Sequence, residues 1–516
     1  MTSILDRARR VFGDRTVVSR IDGGTRTLTY AELFGRVDRL SHALRGLGVK
    51  QGDRVGTMAW NHHRHLELYL AVTSSGAVLH TINVRLAADQ VVQVAEHAGD
   101  VVVFVDSDLT ELLKAATARL LDLRAVVRMG EGEPSDGLVD YEALLASQVA
   151  EPFEYPRLTE EMPAATSYSS ATTGTPKGVV YTHRAMYLHS MMLGLADTWA
   201  ISESDTILPV VPMFHVNAWG LPFTGLWMGA TLVLPGERPT PAAVLDLMVD
   251  HGVTFAAAVP TVWMEVVRLA RGRGESLQSL RLLVSGGAPL PRALLVDADE
   301  LGLPMIHSYG MTEASPLVLV GAMRSDAPTD EARMDLRLRQ GYVVPGLDYR
   351  VEDSDGRPVP WDGESVGELK LRGPWVAEEY ERDERSASAF VDGWFHTGDI
   401  VTIDGQGYLH VVDRVNDLIK SGGEWISSIE LEDALMNHPA VESAAVVAVP
   451  DERWQERPKA FVVLRDEIDT DELRRYLADK FPRFWVPDTI KTIDAIPLTS
   501  VGKFDKKSLR SLSDRS

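Results

Sequence analysis

Tyr168-Ser169-Ser170-Ala171-Thr172-Thr173-Gly174-Thr175-Pro176-Lys177-Gly178 is a run of hydroxyls and glycines that ends in a lysine. Backbone amides, hydroxyls and one cation are what an anionic polyphosphate needs for capture. The order GxxxxGK[ST] is absent, so this is not a Walker loop. Taken alone, the composition also fits a polar Ser/Thr turn. The choice between the two depends on what flanks the run.

Upstream, the first 150 residues alternate helical and strand patterns. Tyr30–Gly48 carries apolar residues at helical spacing and stops at Gly46 and Gly48. Short apolar runs, RVGTMAW from Arg54 and VVVFVD from Val101, read as buried parallel strands of an α/β fold. Glu151 to Pro163, rich in Pro and Glu, reads as a connector. Downstream, a second α/β stretch runs to about Asp330. From Gly341 the pattern changes to short strands with Gly and Pro turns, which predicts an antiparallel β subdomain. After Arg414 a small α/β unit follows: ELEDALMNHPAV as a helix, SAAVVAVPD as a strand and DELRRYLADKF as a helix.

The 516 residues, 45% hydrophobic and 24% charged, suit a folded multi-domain protein and exclude a disordered, collagen-like or disulfide-stapled chain. A net charge of −22 argues against a general nucleic-acid or anionic-membrane surface, so anionic ligands must be held by focused groups. With no cysteine, thiol nucleophiles and Cys-ligated zinc are excluded, and thioester chemistry needs a thiol from outside. The N-terminus has no apolar signal core, which makes cytoplasm the expectation. Ile207–Gly236 has no charged side chain, but its prolines, His215 and Asn217 would break a membrane helix or strand polar groups in lipid. It is expected to be buried core lining an apolar cavity, with no integral membrane segment.

Four further motifs follow in order: Tyr309-Gly310-Met311-Thr312-Glu313; Gly393-Trp394-Phe395-His396-Thr397-Gly398-Asp399; Asp413-Arg414 with Lys420-Ser421-Gly422-Gly423-Glu424; and Pro497-Leu498-Thr499-Ser500-Val501-Gly502-Lys503. Together with the first loop they resemble the adenylate-forming superfamily of acyl-CoA synthetases, aryl-CoA ligases and luciferases. The resemblance covers nearly the whole chain, including GDRVGTMAWN from Gly52.

The resemblance implies an enzyme that uses ATP, Mg²⁺ and coenzyme A to activate a small-molecule carboxylic acid. It implies that Ser169, Ser170, Thr172, Thr173, Gly174, Thr175 and Lys177 grip the phosphates. Thr312 and Glu313 would sit near the α-phosphate, with Glu313 and Thr173 holding Mg²⁺, a hard cation that prefers oxygen ligands. Gly287, Ala288, Pro289 and Tyr309 would form the adenine wall, Asp399 would take the ribose hydroxyls, and Arg414 would support ribose or phosphate. Lys503 would bridge the substrate carboxylate and the α-phosphate, where a cation about 4 Å away contributes roughly 4 kcal/mol per charge pair at an effective dielectric near 20. Lys420, Ser421, Gly422 and Gly423 would help line the route of the CoA thiol.

The implied architecture is α/β. A large N-terminal domain, 1–413, holds parallel or mixed sheets and a β subdomain from about 335. A small mobile α+β C-terminal domain, 414–516, follows a hinge at 414–416. Asn416 stands where the family usually has Asp or Lys, and Asn tolerates unusual dihedrals.

KSGGEWISS (Lys420–Ser428) and PMFHVNAW (Pro212–Trp219) are narrower and resemble medium- and long-chain fatty-acid ligases. They add His215, Trp219, Ser308, Gly310 and Trp425 as acid-binding candidates, Trp219 as the gate of an acyl tunnel. Ser308 replaces a common glycine and would narrow or polarise that pocket. An aryl- or cinnamate-type CoA ligase, or an adenylating enzyme with a different acid or acceptor such as a nitrite-activating diazotase, stays open as an alternative. Intact Lys503, Glu313 and Asp399 argue against a non-catalytic acyl- or nucleotide-binding module. A homodimer is open by analogy with the family. Two local patterns point elsewhere. Gly363–Gly367 matches GxSxG but lacks the strand-turn-helix setting of a nucleophile elbow. His62, His63 and His65 lack a carboxylate or Cys partner at ligand spacing and read as a partly exposed loop or helix start.

Overall fold

The computed structural model describes residues 1–21, 24–131, 137–169, 176–327, 331–415, 417–422, 424–451, 453–499 and 504–513. Among these residues the strands form four sheets. The first runs Val139–Asp140, Ala125–Met129, Val102–Asp106, Arg54–Met58, Val78–Thr81, Pro163–Tyr168 and Gly178–Thr182 in spatial order, parallel except for the last pair. Val102–Asp106 is buried along its whole length, which is why its sequence is an unbroken apolar run. The helix Tyr30–Gly46 begins in a capping box. Thr29 Oγ accepts from the Glu32 amide at 3.2 Å, and the Glu32 carboxylate accepts from the Thr29 amide at 2.8 Å.

The second sheet has a parallel centre: Met305–Gly310, Leu282–Gly286, Phe255–Ala258, Thr206–Pro209, Thr231–Leu234 and Thr16–Ile21. Antiparallel strands flank it on both edges. Ile207–Gly236 contributes two of the central strands and a short buried helix, Leu221–Met228. No helix among the described residues is long and apolar enough to cross a membrane.

The third sheet is antiparallel and holds Asp348–Glu352, Gly367–Arg372, Trp394–Ile403, Phe390–Val391 and Leu409–Arg414. The change of pattern from Gly341 is visible here, but Tyr342–Val343 still pairs with the second sheet, and residues 331–338 are helical. The antiparallel sheet therefore begins later than 335, at Asp348.

The fourth sheet follows Arg414 and is built on the long pair Val441–Asp451 and Gln455–Leu464. The helix before it spans Ser428–Met436 and stops short of Pro439 because a residue preceding proline disfavours helical dihedrals. Val441 already belongs to the strand, so the helix is shorter than ELEDALMNHPAV suggests.

The apolar interior is divided in the same way. One buried cluster spans the first sheet, part of the second and the antiparallel sheet as far as Val411, and two more lie on the second and first sheets. Two further clusters, starting at Ile419 and Ala445, belong to the C-terminal unit alone. Between them lies a polar junction. Asp413 accepts from the Ser428 amide at 2.8 Å and its hydroxyl at 2.5 Å. Lys506 donates to Ser428 at 2.6 Å and pairs with Glu432 at 2.8 Å.

Candidate active site

Parallel sheets present ligands at the carboxyl ends of their strands. In the second sheet four of those ends, Val211-Pro212, Val259, Gly286-Gly287 and Ser308-Tyr309-Gly310, line one cavity of about 630 Å³. The antiparallel sheet closes the other side with Glu368, Phe395, His396, Thr397, Gly398 and Arg414.

At the polar end, strands Pro163–Tyr168 and Gly178–Thr182 lead into and out of the hydroxyl-rich loop. Its neck is closed by Ser169 N–H to the Lys177 carbonyl at 2.9 Å and by Lys177 N–H to Ser169 Oγ at 3.3 Å. Ser170, Thr172, Thr173, Gly174 and Thr175 lie outside the described residues, as do Gly423 and Lys503. Lys177 Nζ sits 4.3 Å from the centre of the Tyr380 ring, and burial lowers its pKa. Tyr380 donates to Glu313 Oε1 at 2.7 Å; burial and the neighbouring carboxylate keep this phenol protonated. The Glu313 backbone carbonyl accepts from Ala377 N–H at 2.7 Å and that of Thr312 from Tyr181 at 2.8 Å, so the short turn Thr312–Ala314 is held from two directions.

Asp399 and Arg414 face each other on neighbouring antiparallel strands, with Arg414 Nε donating to Asp399 Oδ1 at 3.1 Å. The Asp399 charge raises the Arg414 pKa further. Tyr309 donates its hydroxyl to the other Asp399 oxygen, and burial together with that carboxylate raises its pKa well above the usual phenol range. Each carboxylate oxygen retains a second lone-pair site for a ligand hydroxyl. Gly310 cannot be replaced without displacing this wall, because a Cβ there would lie 2.3 Å from the Pro316 carbonyl oxygen.

The other end is apolar, with Val211, Val216, Trp219, Val259, Pro316 and Leu317. His215 lines it too, and Trp219 leans over Gly286, where a Cβ would come within 3.1 Å of its ring. Residues Val216, Asn217, Ala218 and Trp219 all have positive φ, between 45° and 57°, and Gly220 follows at 78°. Such a left-handed run costs roughly 1–2 kcal/mol per non-glycine residue. Strain of this kind persists where the surroundings over-determine it, as at ligand-binding walls.

The expected site residues that the structure describes divide into three groups. Ser169, Lys177, His215, Trp219, Gly287, Ser308, Tyr309, Gly310, Thr312, Glu313 and Arg414 line the cavity, with Asp399 bonded behind two of them. Ala288 and Pro289 adjoin it, the Ala288 carbonyl being bonded by His307 at 3.2 Å. Lys420, Ser421, Gly422 and Trp425 do not line it. They sit on the C-terminal sheet, where Lys420 pairs across the strands with Trp425 and Arg457 donates to Ser421 at 3.2 Å. Trp425 is 49% exposed, so in this arrangement it is not beside Trp219. Distant sequence also brings in Tyr380, Tyr181 and Trp199, none of which stood in a recognisable motif.

The histidine cluster differs from its expectation. His62 does start a helix, His63–Ser74, but His62, His63 and His65 are buried. A carboxylate partner exists, Asp106, which reaches His62 Nε2 at 2.8 Å from a strand far away in sequence. His62 Nδ1 accepts the His65 amide, which makes the residue a helix cap. No group of three or more His, Asp or Glu side chains suited to a metal gathers among the described residues. Ser365, in the GxSxG match, donates to Asp362 at 2.7 Å inside a turn.

Comparison with known proteins agrees with this geometry. Residues 5–381 match the model of the AMP-binding enzyme family, and residues 430–503 match the AMP-binding enzyme C-terminal domain. The chain belongs to the AMP-binding enzyme family. This AMP-binding enzyme is 45% identical to a long-chain-fatty-acid–CoA ligase of Thermus thermophilus, over 98% of this chain and 94% of the relative. It is 39% identical to a medium-chain-fatty-acid–CoA ligase of Ectopseudomonas oleovorans, over 98% and 95%. A solved anthranilate CoA ligase in complex with anthranoyl-AMP superposes with a TM-score of 0.90 at 27% identity, covering 99% of this chain and 97% of that one. The AMP-binding enzyme described here is an adenylate-forming acyl-CoA ligase with an α/β fold.

Proposed function

We propose that this ligase activates a medium- or long-chain fatty acid, first as acyl-AMP with release of pyrophosphate and then as acyl-CoA. The observation that carries the reading is the continuity of the cavity, from Lys177, Glu313 and Arg414 at its polar end to Trp199 and Trp219 at its apolar end. That layout suits a nucleotide joined to an aliphatic acid, since ligand sites are mostly apolar with a few placed polar groups. The fatty-acid ligases among its relatives support an alkyl substrate.

In this reading the substrate carboxylate attacks the α-phosphorus and pyrophosphate leaves. Tyr309 and Asp399 orient adenosine, Lys177 and the hydroxyl loop hold phosphate oxygens, and Lys503 neutralises the two anions that must meet. Glu313 fits Mg²⁺: it is one carboxylate facing the cavity beside Thr312, and Mg²⁺ is usually held by one or two carboxylates together with substrate phosphates. Bound there, Mg²⁺ would neutralise phosphate charge. Thr173 would supply a further oxygen. The protein contributes positioning and charge neutralisation, so no enzyme nucleophile is needed.

The C-terminal unit, hinged at 414–416, would then rotate, taking Lys503 away and bringing Lys420–Gly423 and Trp425 to the cavity for CoA. Its separate apolar core supports that movement. Cytoplasmic location and a homodimer belong to the same proposal, to be checked by fractionation and sedimentation.

The test incubates the protein with ATP, Mg²⁺ and a panel of fatty acids, benzoates, cinnamates, and nitrite with an aromatic amine, with and without CoA. Pyrophosphate release and product mass are read. A CoA-dependent fatty-acyl thioester is expected. Pyrophosphate without thioester would replace the acceptor, and a thioester formed only from aryl acids would replace the acid.

A further inference from the structure

We infer that Trp199 and Ser308 together form the floor of the acyl pocket and set the longest chain it accepts. The inference rests on the ligase reading above and adds which acids fit. Trp199 lies on the loop between helix His183–Leu193 and strand Thr206–Pro209, and only 1% of it is exposed. Its indole N–H donates to Ser308 Oγ at 3.4 Å, and both residues line the cavity. Ser308 is the register neighbour of Gly286, so the hydroxyl stands directly beside the glycine over which Trp219 packs. The two indoles, with ring centres 6.4 Å apart and planes tilted by 40°, form a corner at the apolar end.

Trp199 has no room to retreat. Behind it lies Phe255, fully buried, with ring centres 5.6 Å apart. Its own carbonyl accepts from Arg281 Nη1 at 3.0 Å, and that of Ala200 accepts from Nη2 at 3.2 Å. Arg281 is in turn forked onto Asp205 at 2.6 and 2.7 Å, and Thr254 donates to the same carboxylate at 2.7 Å. A bidentate guanidinium–carboxylate pair fixes geometry as well as charge. The main chain of Trp199 is therefore clamped from behind while its ring faces the acid.

The expected consequence is a sharp limit. Each methylene that the pocket still accommodates should raise kcat/KM by about fourfold through apolar burial. Once the chain end meets the indole, a further methylene gains nothing and must displace a clamped ring. The rise is expected to stop among the medium chains, around octanoate.

The experiment measures kcat/KM for butanoate, hexanoate, octanoate, decanoate, dodecanoate and hexadecanoate with the full-length enzyme, ATP, Mg²⁺ and CoA. The wild type should rise to an optimum no later than decanoate and fall by about tenfold or more at hexadecanoate, the discrimination a pocket wall can supply. Trp199→Gly should move the optimum towards dodecanoate and hexadecanoate while octanoate remains a substrate. Ser308→Gly should move it less, because the ring stays and only its hydrogen-bond partner is lost. If Trp199→Gly does not fold, Trp199→Leu carries the same expectation with a smaller shift. A wild type that uses hexadecanoate as well as octanoate, or folded variants with an unmoved optimum, would overturn the floor while leaving the ligase intact. A folded wild type that releases no pyrophosphate with any acid would overturn the ligase reading itself, and the floor with it.

Discussion

In the proposed mechanism Lys503 and Tyr380 serve the same reaction from opposite kinds of sequence context. Lys503→Ala should lower adenylation by a factor of about 10²–10³, the scale for losing one electrostatic stabiliser, while thioester formation from supplied acyl-AMP survives. Single-turnover measurements of the two half-reactions check this, and an equal loss in both would contradict the division of labour. Tyr380→Phe removes the hydroxyl that donates to Glu313. A hydrogen bond to a charged group is worth about 1.5–3 kcal/mol, so adenylation kcat/KM should fall by about tenfold or more, with a changed Mg²⁺ dependence. Tyr309 and Asp399 are legible in the sequence because glycine and aromatic neighbours mark their motifs, and Arg414 because Asp413-Arg414 shortly precedes KSGGE. Tyr380 sits in VAEEYERDERS, where nothing distinguishes it from a surface tyrosine. Only the fold, which brings residue 380 to residue 313, reveals its task. Trp199 is hidden for the same reason.

Local elements are readable wherever a local interaction makes them. The helix Tyr30–Gly46 owes its start to Thr29 and Glu32, and Thr29→Ala should cost about 1 kcal/mol of stability without altering catalysis, measurable by denaturant unfolding. The strand Val102–Asp106 is legible because burial on both faces imposes an unbroken apolar run. The left-handed run at Val216–Trp219 is not, because Val, Ala and Trp all disfavour that conformation and nothing in their order announces it. It is fixed instead by long-range packing, including the close approach of Trp219 to Gly286. His62 likewise needs the fold, since Asp106 meets it from another strand.

Buried histidines give the whole molecule a direction of pH sensitivity. Burial lowers His65 and His189 to about 3 and His183 and His410 to about 4, from an ordinary value of 6.5. Their folded-state values are depressed, so below 6.5 the unfolded chain binds protons that the folded chain refuses. The stability they contribute is present above 6.5 and is lost as the pH falls towards 4 and then 3. Each histidine adds up to about 1.4 kcal/mol per pH unit within that window. Unfolding midpoints measured from pH 7 to pH 4 should decline accordingly, and His189→Gln should flatten the slope. At this scale the alternation of helices and strands, followed by short antiparallel strands and a small terminal unit, is visible along the chain itself. The meeting of the strand ends in one cavity is not, because strand order is set by long-range pairing.

The apolar interior is divided near Arg414, and the polar contact of Asp413 with Ser428, which Lys506 also reaches, bridges the division. In calorimetric terms, such a chain is expected to melt as two units rather than one. Differential scanning should resolve two endotherms, the smaller near roughly 70 kcal/mol for a body of about 100 residues. A single endotherm would show that the junction welds both bodies into one cooperative unit.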